Sequence, residues 1–239
     1  MSRAADRFGQ ALAGIEEHLD WPLLGKLYCH TGGAEFFPPE QVEAQRDAGL
    51  KIAAELAQRL QPGGRSLYIG AALGELPQIL CEALILEREV VALNLDNAES
   101  QELNRALSLV ADACGFGLPR IGCESITDCK GEFDHGWLVS VLNDPEAFPA
   151  LHDDLYSRSG DLATGSGDLA ADRQRADDLV DAWLTRLADG ARLTTSEEEL
   201  ALVQARVAVR GWQLEFDSLA ILSAVVGDPI RFGVLQHLG

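Results

Sequence analysis

Strand-like and helix-like segments alternate along most of this 239-residue chain, and that order limits the folds it can adopt. Apolar runs at 65–70, 89–95 and 133–142 predict buried strands, and stretches with three- and four-residue apolar spacing predict helices between them. A weaker strand is predicted at 119–126 and another at 190–196. This alternation favours a parallel sheet, because parallel neighbours need a crossover connection.

The chain ends on a different pattern. Residues 212–226 and 230–238 are apolar and strand-like, and a tight turn with Gly227 and Asp228 separates them. Two strands joined by so short a turn must run antiparallel. We therefore predict an α/β fold with a Rossmann-like, seven-stranded sheet that is mostly parallel, ends in a reversed C-terminal β-hairpin and carries helices on both faces.

Composition shifts along the chain suggest its organisation. Residues 1–37 have weak periodicity and are predicted to be an N-terminal leader, and its middle at 21–40, rich in Gly, Pro and aromatic residues, is predicted to be a loop or partial helix. Residues 38–239 form the predicted main domain, which Pro38 and Pro39 begin with a helix. An acidic segment rich in Gly and Ser, at about 153–178, is predicted to be an insertion that acts as a flap or an interaction surface.

The charge balance restricts the partners. With 38 acidic and 19 basic residues, the formal net charge is −19. A chain this acidic repels phosphate groups, which disfavours nucleic acids and anionic membrane surfaces. No signal-peptide pattern or membrane-spanning run is visible, and the five cysteines are odd in number and widely spaced. We expect a cytoplasmic protein with free thiols and no metal site.

Five parallel strands with helices, followed by a hairpin, resemble the class I S-adenosylmethionine-dependent methyltransferases over residues 40–239. The resemblance implies a methyltransferase sheet, S-adenosylmethionine as cofactor and S-adenosylhomocysteine as product. The family's first motif, an acid followed by a Gly-x-Gly-x-Gly turn, falls on Tyr68, Gly70, Ala72 and Gly74. Two glycines match, while tyrosine and alanine replace the acid and a glycine. A tight turn without a cofactor would also explain the glycines.

Two further strand ends match cofactor motifs of the family. The acid that binds the ribose hydroxyls falls on Asn94, with Asp96 two residues on, and an amide accepts through one oxygen only. Asp96 and Glu99 also predict a capping box for the next helix, which leaves the role of Asp96 open. The residue near the adenine falls on Glu124, for which a surface acid is the alternative.

The fourth motif, where many members of the family keep catalytic residues, falls on Asn143 and Asp144. Both residues are predicted to reach the substrate, and the alternative is that they cap the turn before Pro145. The sequence here is NDPE rather than Asn-Pro-Pro-Tyr, so methylation of the exocyclic amino groups of nucleic-acid bases is not supported.

Histidines and the leader supply the remaining candidates. His30 and His152 are predicted to act as bases that take a proton from the substrate, although a lone histidine is often structural. Tyr28 lies near His30 in the leader and is predicted to contact substrate. The leader would close over the site as a lid, or else pack on the core or on the second subunit of a homodimer.

The favoured function is the methylation of a small molecule with S-adenosylmethionine. The alternative is a methyltransferase fold that has lost catalysis and serves as a binding or assembly subunit, because Tyr68, Ala72 and Asn94 alter three cofactor contacts together. A dinucleotide-dependent oxidoreductase is disfavoured by the reversed hairpin and the incomplete glycine pattern.

Overall fold

Strands and helices alternate in the computed structural model, which describes residues 3–29, 33–156, 167–225 and 227–238. The strands are β1 (Arg65–Ile69), β2 (Glu89–Leu93), β3 (Ile121–Gly122), β4 (Phe133–Leu138), β5 (Leu187–Ser196), β6 (Gln213–Leu222) and β7 (Pro229–Gln236). The α-helices of this part of the chain are α1 (Arg3–His18), α2 (Trp21–Tyr28), α3 (Pro39–Arg59), α4 (Leu76–Leu84), α5 (Ala98–Cys114), α6 (Pro149–Leu155), α7 (Leu169–Leu184) and α8 (Glu197–Val209).

The seven strands form a mixed sheet in the order β3-β2-β1-β4-β5-β7-β6. The pairs β1–β2, β2–β3 and β4–β5 are parallel, whereas β7 runs antiparallel to β5. The predicted fold class, mostly parallel with a reversed C-terminal end, is confirmed. The weak strand predicted at 119–126 is much shorter than expected, since β3 has only two residues.

The chain divides into two compact units. Unit 1 contains residues 1–124 and 222–227, and unit 2 contains residues 125–221 and 228–239. The predicted insertion at 153–178 lies partly outside the described residues, and its last part forms the start of α7, which Asp168 caps. The boundary predicted between residues 37 and 38 stays a prediction. None of the described helices has the length and apolarity needed to cross a membrane.

The first half of the leader forms the 16-residue helix α1 in unit 1, which the sequence analysis did not predict, and part of its middle forms the helix α2. Ala11 and Ile15 are buried, and a Cβ atom built on Gly14 would lie 3.1 Å from a methyl group of Val110 in α5. Small side chains therefore let α1 pack close to α5. Phe8, Ala11, Leu12 and Ile15 follow the three- and four-residue spacing of an amphipathic helix, a signal that the sequence analysis overlooked.

Four buried polar side chains join β1 to α4 and the loop after it. The Glu82 carboxylate accepts hydrogen bonds from the hydroxyl groups of Ser66 and Tyr68. Arg88 Nε lies 3.2 Å from Glu82 Oε2, and both side chains are at most 1% exposed. Burial, and then the charge of Glu82, hold the pKa of Tyr68 well above its usual range. We call these four residues the Glu82 network.

Removing the cation from the Glu82 network should destabilise unit 1 strongly. In Arg88→Met the Glu82 carboxylate stays buried without its counter-charge, which costs about 3–5 kcal/mol in comparable sites. Arg65→Met is the matched control, because it breaks an ion pair with Glu89 whose side chains are 32% and 60% exposed. We expect the control to lose at most about 1 kcal/mol in urea unfolding. Equal losses in the two variants would contradict this account.

Candidate functional site

The turn after β1 is the glycine-containing turn that the sequence singled out, and it is fixed against the end of β2. Gly70 has φ +74°, a left-handed conformation that favours glycine. The Ala71 N–H donates to the carbonyl oxygen of Leu93 at 3.0 Å. The side-chain amide of Asn94 donates to the Ala71 carbonyl oxygen, also at 3.0 Å. The path of the chain is therefore set at the carboxyl ends of two parallel strands, where α/β proteins bind ligands.

Two consecutive backbone amides of this turn donate to carboxylates of the chain itself. The Ala72 N–H donates to Glu75 Oε2 at 3.0 Å, and the Leu73 N–H donates to Glu99 Oε1 at 3.1 Å. The same oxygen of Glu99 accepts from the Tyr28 hydroxyl at 2.5 Å. Amides at the start of a helical segment are natural anion-binding groups. In this arrangement they already hold anionic groups.

Ala72 and Gly74 are the next two positions of the motif, and their surroundings differ. Ala72 has φ −127°, an extended conformation that any residue adopts, so alanine in place of glycine introduces no backbone strain. Gly74 is covered by the segment between β6 and β7: a Cβ atom built on it would lie 3.5 Å from Val225 Cγ2 and 3.7 Å from Ala224 Cβ. This part of the turn is packed against protein.

Two other predicted cofactor residues, Tyr68 and Asn94, also have partners within unit 1, whereas Glu124 is exposed. The Tyr68 side chain is fully buried, and its hydroxyl belongs to the Glu82 network. Asn94 Oδ1 accepts from the Leu95 N–H at 2.8 Å, while its Nδ2 donates to the Ala71 carbonyl oxygen. The carboxylate of Glu124 lies against β3, because a Cβ atom built on Gly122 would be 2.1 Å from Glu124 Oε2.

The capping box predicted from Asp96 is wrong by one residue. The N-cap of α5 is Asn97, whose side chain accepts from the Ser100 N–H at 3.0 Å. Asp96 accepts instead from the side-chain amide of Gln101 at 3.2 Å. The Glu99 carboxylate does not complete a capping box with Asp96 and reaches across to Leu73.

The arrangement of this turn does not fit S-adenosylmethionine as it stands. The cofactor carries a carboxylate and a ribose diol, which need free N–H donors and a carboxylate acceptor. The Ala72 and Leu73 amides are engaged, and both ends of the Asn94 amide are used. The residue that sequence analysis missed is Glu99, whose only local signal was its place in the first turn of a helix.

In unit 2, a buried glutamate holds the turn after β4. Glu199 Oε1 accepts from the Val141 and Leu142 N–H groups at 2.6 and 2.7 Å. Its other oxygen accepts from the hydroxyl groups of Thr195 and Ser196 at 3.3 and 3.0 Å. Burial raises the pKa of Glu199 from its usual 4.5 to about 7, and the hydrogen bonds to its carboxylate oppose part of that effect.

The turn that Glu199 holds presents a group of polar side chains, which we call the Asn143 cluster: Ser140, Asn143, His152, Tyr156 and Asp228. Ser140 has φ +57°, and its hydroxyl donates to Asp228 Oδ2 at 2.7 Å. Asn143 Nδ2 lies 3.1 Å from the same Asp228 oxygen and 2.9 Å from the Tyr156 hydroxyl. The structure thus brings the predicted Asn143 and His152 together and adds three residues that sequence analysis did not name as site candidates.

His152 has a defined tautomer in this cluster. Its Nδ1 lies 2.6 Å from the carbonyl oxygen of Asn143, and a carbonyl can only accept, so Nδ1 carries the proton. The side chain is 7% exposed, and its Nε2 has no hydrogen-bond partner within the described ranges. In the neutral ring Nε2 is therefore an acceptor, which is the state that a general base requires.

Asp144 and His30 are the remaining predicted site residues. Asp144 caps the next turn, because its Oδ1 accepts from the Glu146 and Ala147 N–H groups at 2.6 and 3.3 Å. His135, which was not among the predicted site residues, is buried in β4 with Nε2 at 3.2 Å from the Thr194 hydroxyl. His30 lies outside the described residues. Among the described residues, no group of three or more His, Cys, Asp or Glu is placed to hold a metal ion.

Comparison with known proteins adds the fold class. No family model and no curated protein matches the sequence. The chain is similar to magnesium protoporphyrin IX methyltransferase (ChlM) from Synechocystis PCC 6803 with bound SAM, at TM-score 0.50 and 11% identity, over 90% of this chain and 96% of that chain. This likeness shows the fold of a class I methyltransferase, as the sequence predicted. The cofactor in that structure, S-adenosylmethionine, is the one that the resemblance implies.

Two other solved structures are similar at lower scores. A methyltransferase from Pyrococcus furiosus matches at TM-score 0.48 and 14% identity, over 80% of this chain and 83% of that chain. TrmN from Thermus thermophilus matches at TM-score 0.48 and 20% identity, over 83% of this chain and 49% of that chain. The match spans about half the length of TrmN.

The raised pKa of Glu199 predicts a specific pH dependence of stability. Between pH 4.5 and about 7 the unfolded chain releases the Glu199 proton while the folded protein retains it, so the free energy of unfolding falls as pH rises. The full contribution is up to about 3 kcal/mol. Glu199→Gln should remove this fall and keep the contacts, because an amide oxygen can accept from Val141 and Leu142.

Urea unfolding at pH 5 and 7.5 tests this expectation by the difference between wild type and Glu199→Gln. Glu197→Gln removes an exposed carboxylate from the same helix and controls for loss of charge. If wild type and Glu199→Gln show parallel pH dependence, Glu199 does not titrate with a raised pKa.

The tautomer of His152 can be measured directly. We expect heteronuclear NMR of the imidazole nitrogens to show that the neutral ring carries its proton on Nδ1 and not on Nε2. His152→Gln assigns the signals by their disappearance. A neutral ring with its proton on Nε2 would contradict the hydrogen bond from Nδ1 to the Asn143 carbonyl and remove Nε2 as the basic nitrogen.

Proposed function

We propose that this chain is an S-adenosylmethionine-dependent methyltransferase that acts on a small molecule. The observation that carries the proposal is His152, a buried imidazole with Nδ1–H fixed on the Asn143 carbonyl and an acceptor Nε2. It follows β4, on a fold that resembles class I methyltransferases. A base in this state removes a proton from a hydroxyl, amine or thiol group of an acceptor.

The cluster around His152 suggests how an acceptor is held. Asn143, Tyr156 and Asp228 bond to one another next to His152, so an acceptor would exchange these bonds for its own, which suits a small polar molecule with hydrogen-bond donors. The net charge of −19 disfavours phosphate-rich acceptors such as nucleic acids. Contacts of Asp144 and Tyr28 with substrate, a cytoplasmic location and a homodimer stay predictions.

A second candidate function is a methyltransferase fold without catalysis that serves as a binding or assembly subunit. The specific observation in its favour is that the turn amides of Ala72 and Leu73 and the side chain of Asn94 all have internal partners. Ligand binding separates the two candidates, since only the first requires the turn to receive S-adenosylmethionine.

Titration of S-adenosylhomocysteine and S-adenosylmethionine, by calorimetry and thermal unfolding, tests the proposal. Ligand at 100 times its dissociation constant should stabilise the protein by about 2.7 kcal/mol. Gly70→Ala should lose this effect. Gly63→Ala is the matched control, because Gly63 has φ +75° against +74° at Gly70, and a Cβ atom built on it meets nothing within 4 Å.

Both alanine variants force a residue into a left-handed conformation, which costs about 1 kcal/mol or more in either place. A loss of ligand binding confined to Gly70→Ala would therefore not be a consequence of general destabilisation. No stabilisation of the wild type at millimolar ligand would overturn the proposed enzyme and favour the non-catalytic alternative.

A further inference from the structure

One contact joins the N-terminal helices of unit 1 to the glycine-containing turn. The Tyr28 hydroxyl, at the end of α2, donates to Glu99 Oε1 at 2.5 Å. That oxygen also accepts the Leu73 N–H at 3.1 Å. A carboxylate from α5 therefore lies on the turn amide, and a side chain from α2 holds it there.

The Tyr28 side chain is held in place by its aromatic neighbours. Its ring stacks on Phe36 with the centroids 6.2 Å apart and packs edge-on against Phe37 at 5.6 Å. The backbone beneath is close-packed as well, because a Cβ atom built on Gly25 would be 1.9 Å from the Gly33 carbonyl oxygen. Tyr28 thus presents its hydroxyl from a rigid support, so little side-chain entropy opposes the hydrogen bond.

The Glu99 carboxylate occupies the position that an anionic group of a ligand would take. The Leu73 N–H begins the helical segment that runs into α4, and N–H groups at such a place attract anions. The carboxylate of S-adenosylmethionine would compete with Glu99 for this donor. It would also be repelled by the charge of Glu99 until that side chain moves.

We propose that Tyr28 and Glu99 form an autoinhibitory latch, in which the N-terminal helices keep a carboxylate of the chain on the cofactor turn. The latch rests on the proposed function, because it regulates S-adenosylmethionine binding at that same turn. Release of Glu99 from Leu73 opens the amide to the ligand, and a weaker Tyr28–Glu99 contact favours release. Partners that move α2 would activate the protein through this contact.

Calorimetric titration with S-adenosylhomocysteine tests the latch in wild type, Tyr28→Phe and Glu99→Gln. Tyr28→Phe keeps the ring and removes only the hydroxyl, while Glu99→Gln removes the charge. We expect both variants to bind about tenfold more tightly than the wild type, which corresponds to about 1.4 kcal/mol.

Glu102→Gln is the matched control. Glu102 lies one turn further along α5 and also contacts the N-terminal segment, since its Oε1 accepts the Asp20 N–H at 2.7 Å. It does not touch the turn amides in the described structure, so its loss should leave ligand affinity unchanged. Hydrogen exchange at Leu73 gives a readout without ligand, and protection should fall in Tyr28→Phe but not in Glu102→Gln.

The outcomes separate the latch from the proposed function. Equal affinity in all four proteins would overturn the latch and leave the proposed function standing. Weaker binding in Glu99→Gln would show that the carboxylate itself contacts the ligand, which also overturns the latch alone. Absence of binding in every protein at millimolar ligand would overturn both.

Discussion

The buried carboxylate of Glu82 fixes the strand from which the candidate cofactor turn begins. Ser66 and Tyr68 are two residues apart on β1, so their side chains lie on the same face of the strand. Both hydroxyl groups point toward α4 and donate to Glu82. Arg88 compensates the charge and also donates to the carbonyl oxygens of Gln61 and Arg65. A buried charge is tolerated only when it is paired and fully hydrogen-bonded, so these groups must assemble together. The end of β1, and with it Gly70, is located by that assembly.

Carboxylates recur as acceptors for backbone amides at the carboxyl ends of the strands. Glu75 and Glu99 accept from backbone N–H groups of the turn after β1 in unit 1, and Glu199 accepts from those of the turn after β4 in unit 2. The N–H groups at these places lack partners within a helix or a strand and need an acceptor. In many nucleotide-binding proteins a ligand anion supplies it. This acidic chain supplies it from its own side chains, which explains how the turns are satisfied without a ligand.

The sequence predicted most of the strands because a buried strand is a local pattern of apolar residues. It predicted poorly where the outcome depends on distant contacts. Asp96 and Asn97 are both good N-cap residues, and only the start of α5 decides between them. The contact between Glu99 and Leu73 spans 26 residues, and the contact between Tyr28 and Glu99 spans 71. The helix α1 is a different case, because Phe8, Leu12 and Ile15 follow helical spacing and its local signal was overlooked.

The departures from the family pattern have structural reasons in this chain. Tyr68 replaces an acid, yet its hydroxyl completes the Glu82 network, where a second carboxylate would be repelled. Asn94 replaces another acid, and it both donates to the Ala71 carbonyl oxygen and accepts the Leu95 N–H. An ionised aspartate has no hydrogen to donate and could not make the first bond. Both substitutions are therefore required by internal hydrogen bonds, and neither is by itself evidence that the turn has lost its ligand. Whether the turn can bind a ligand depends instead on the carboxylate of Glu99, because it accepts the Leu73 N–H that a ligand would need.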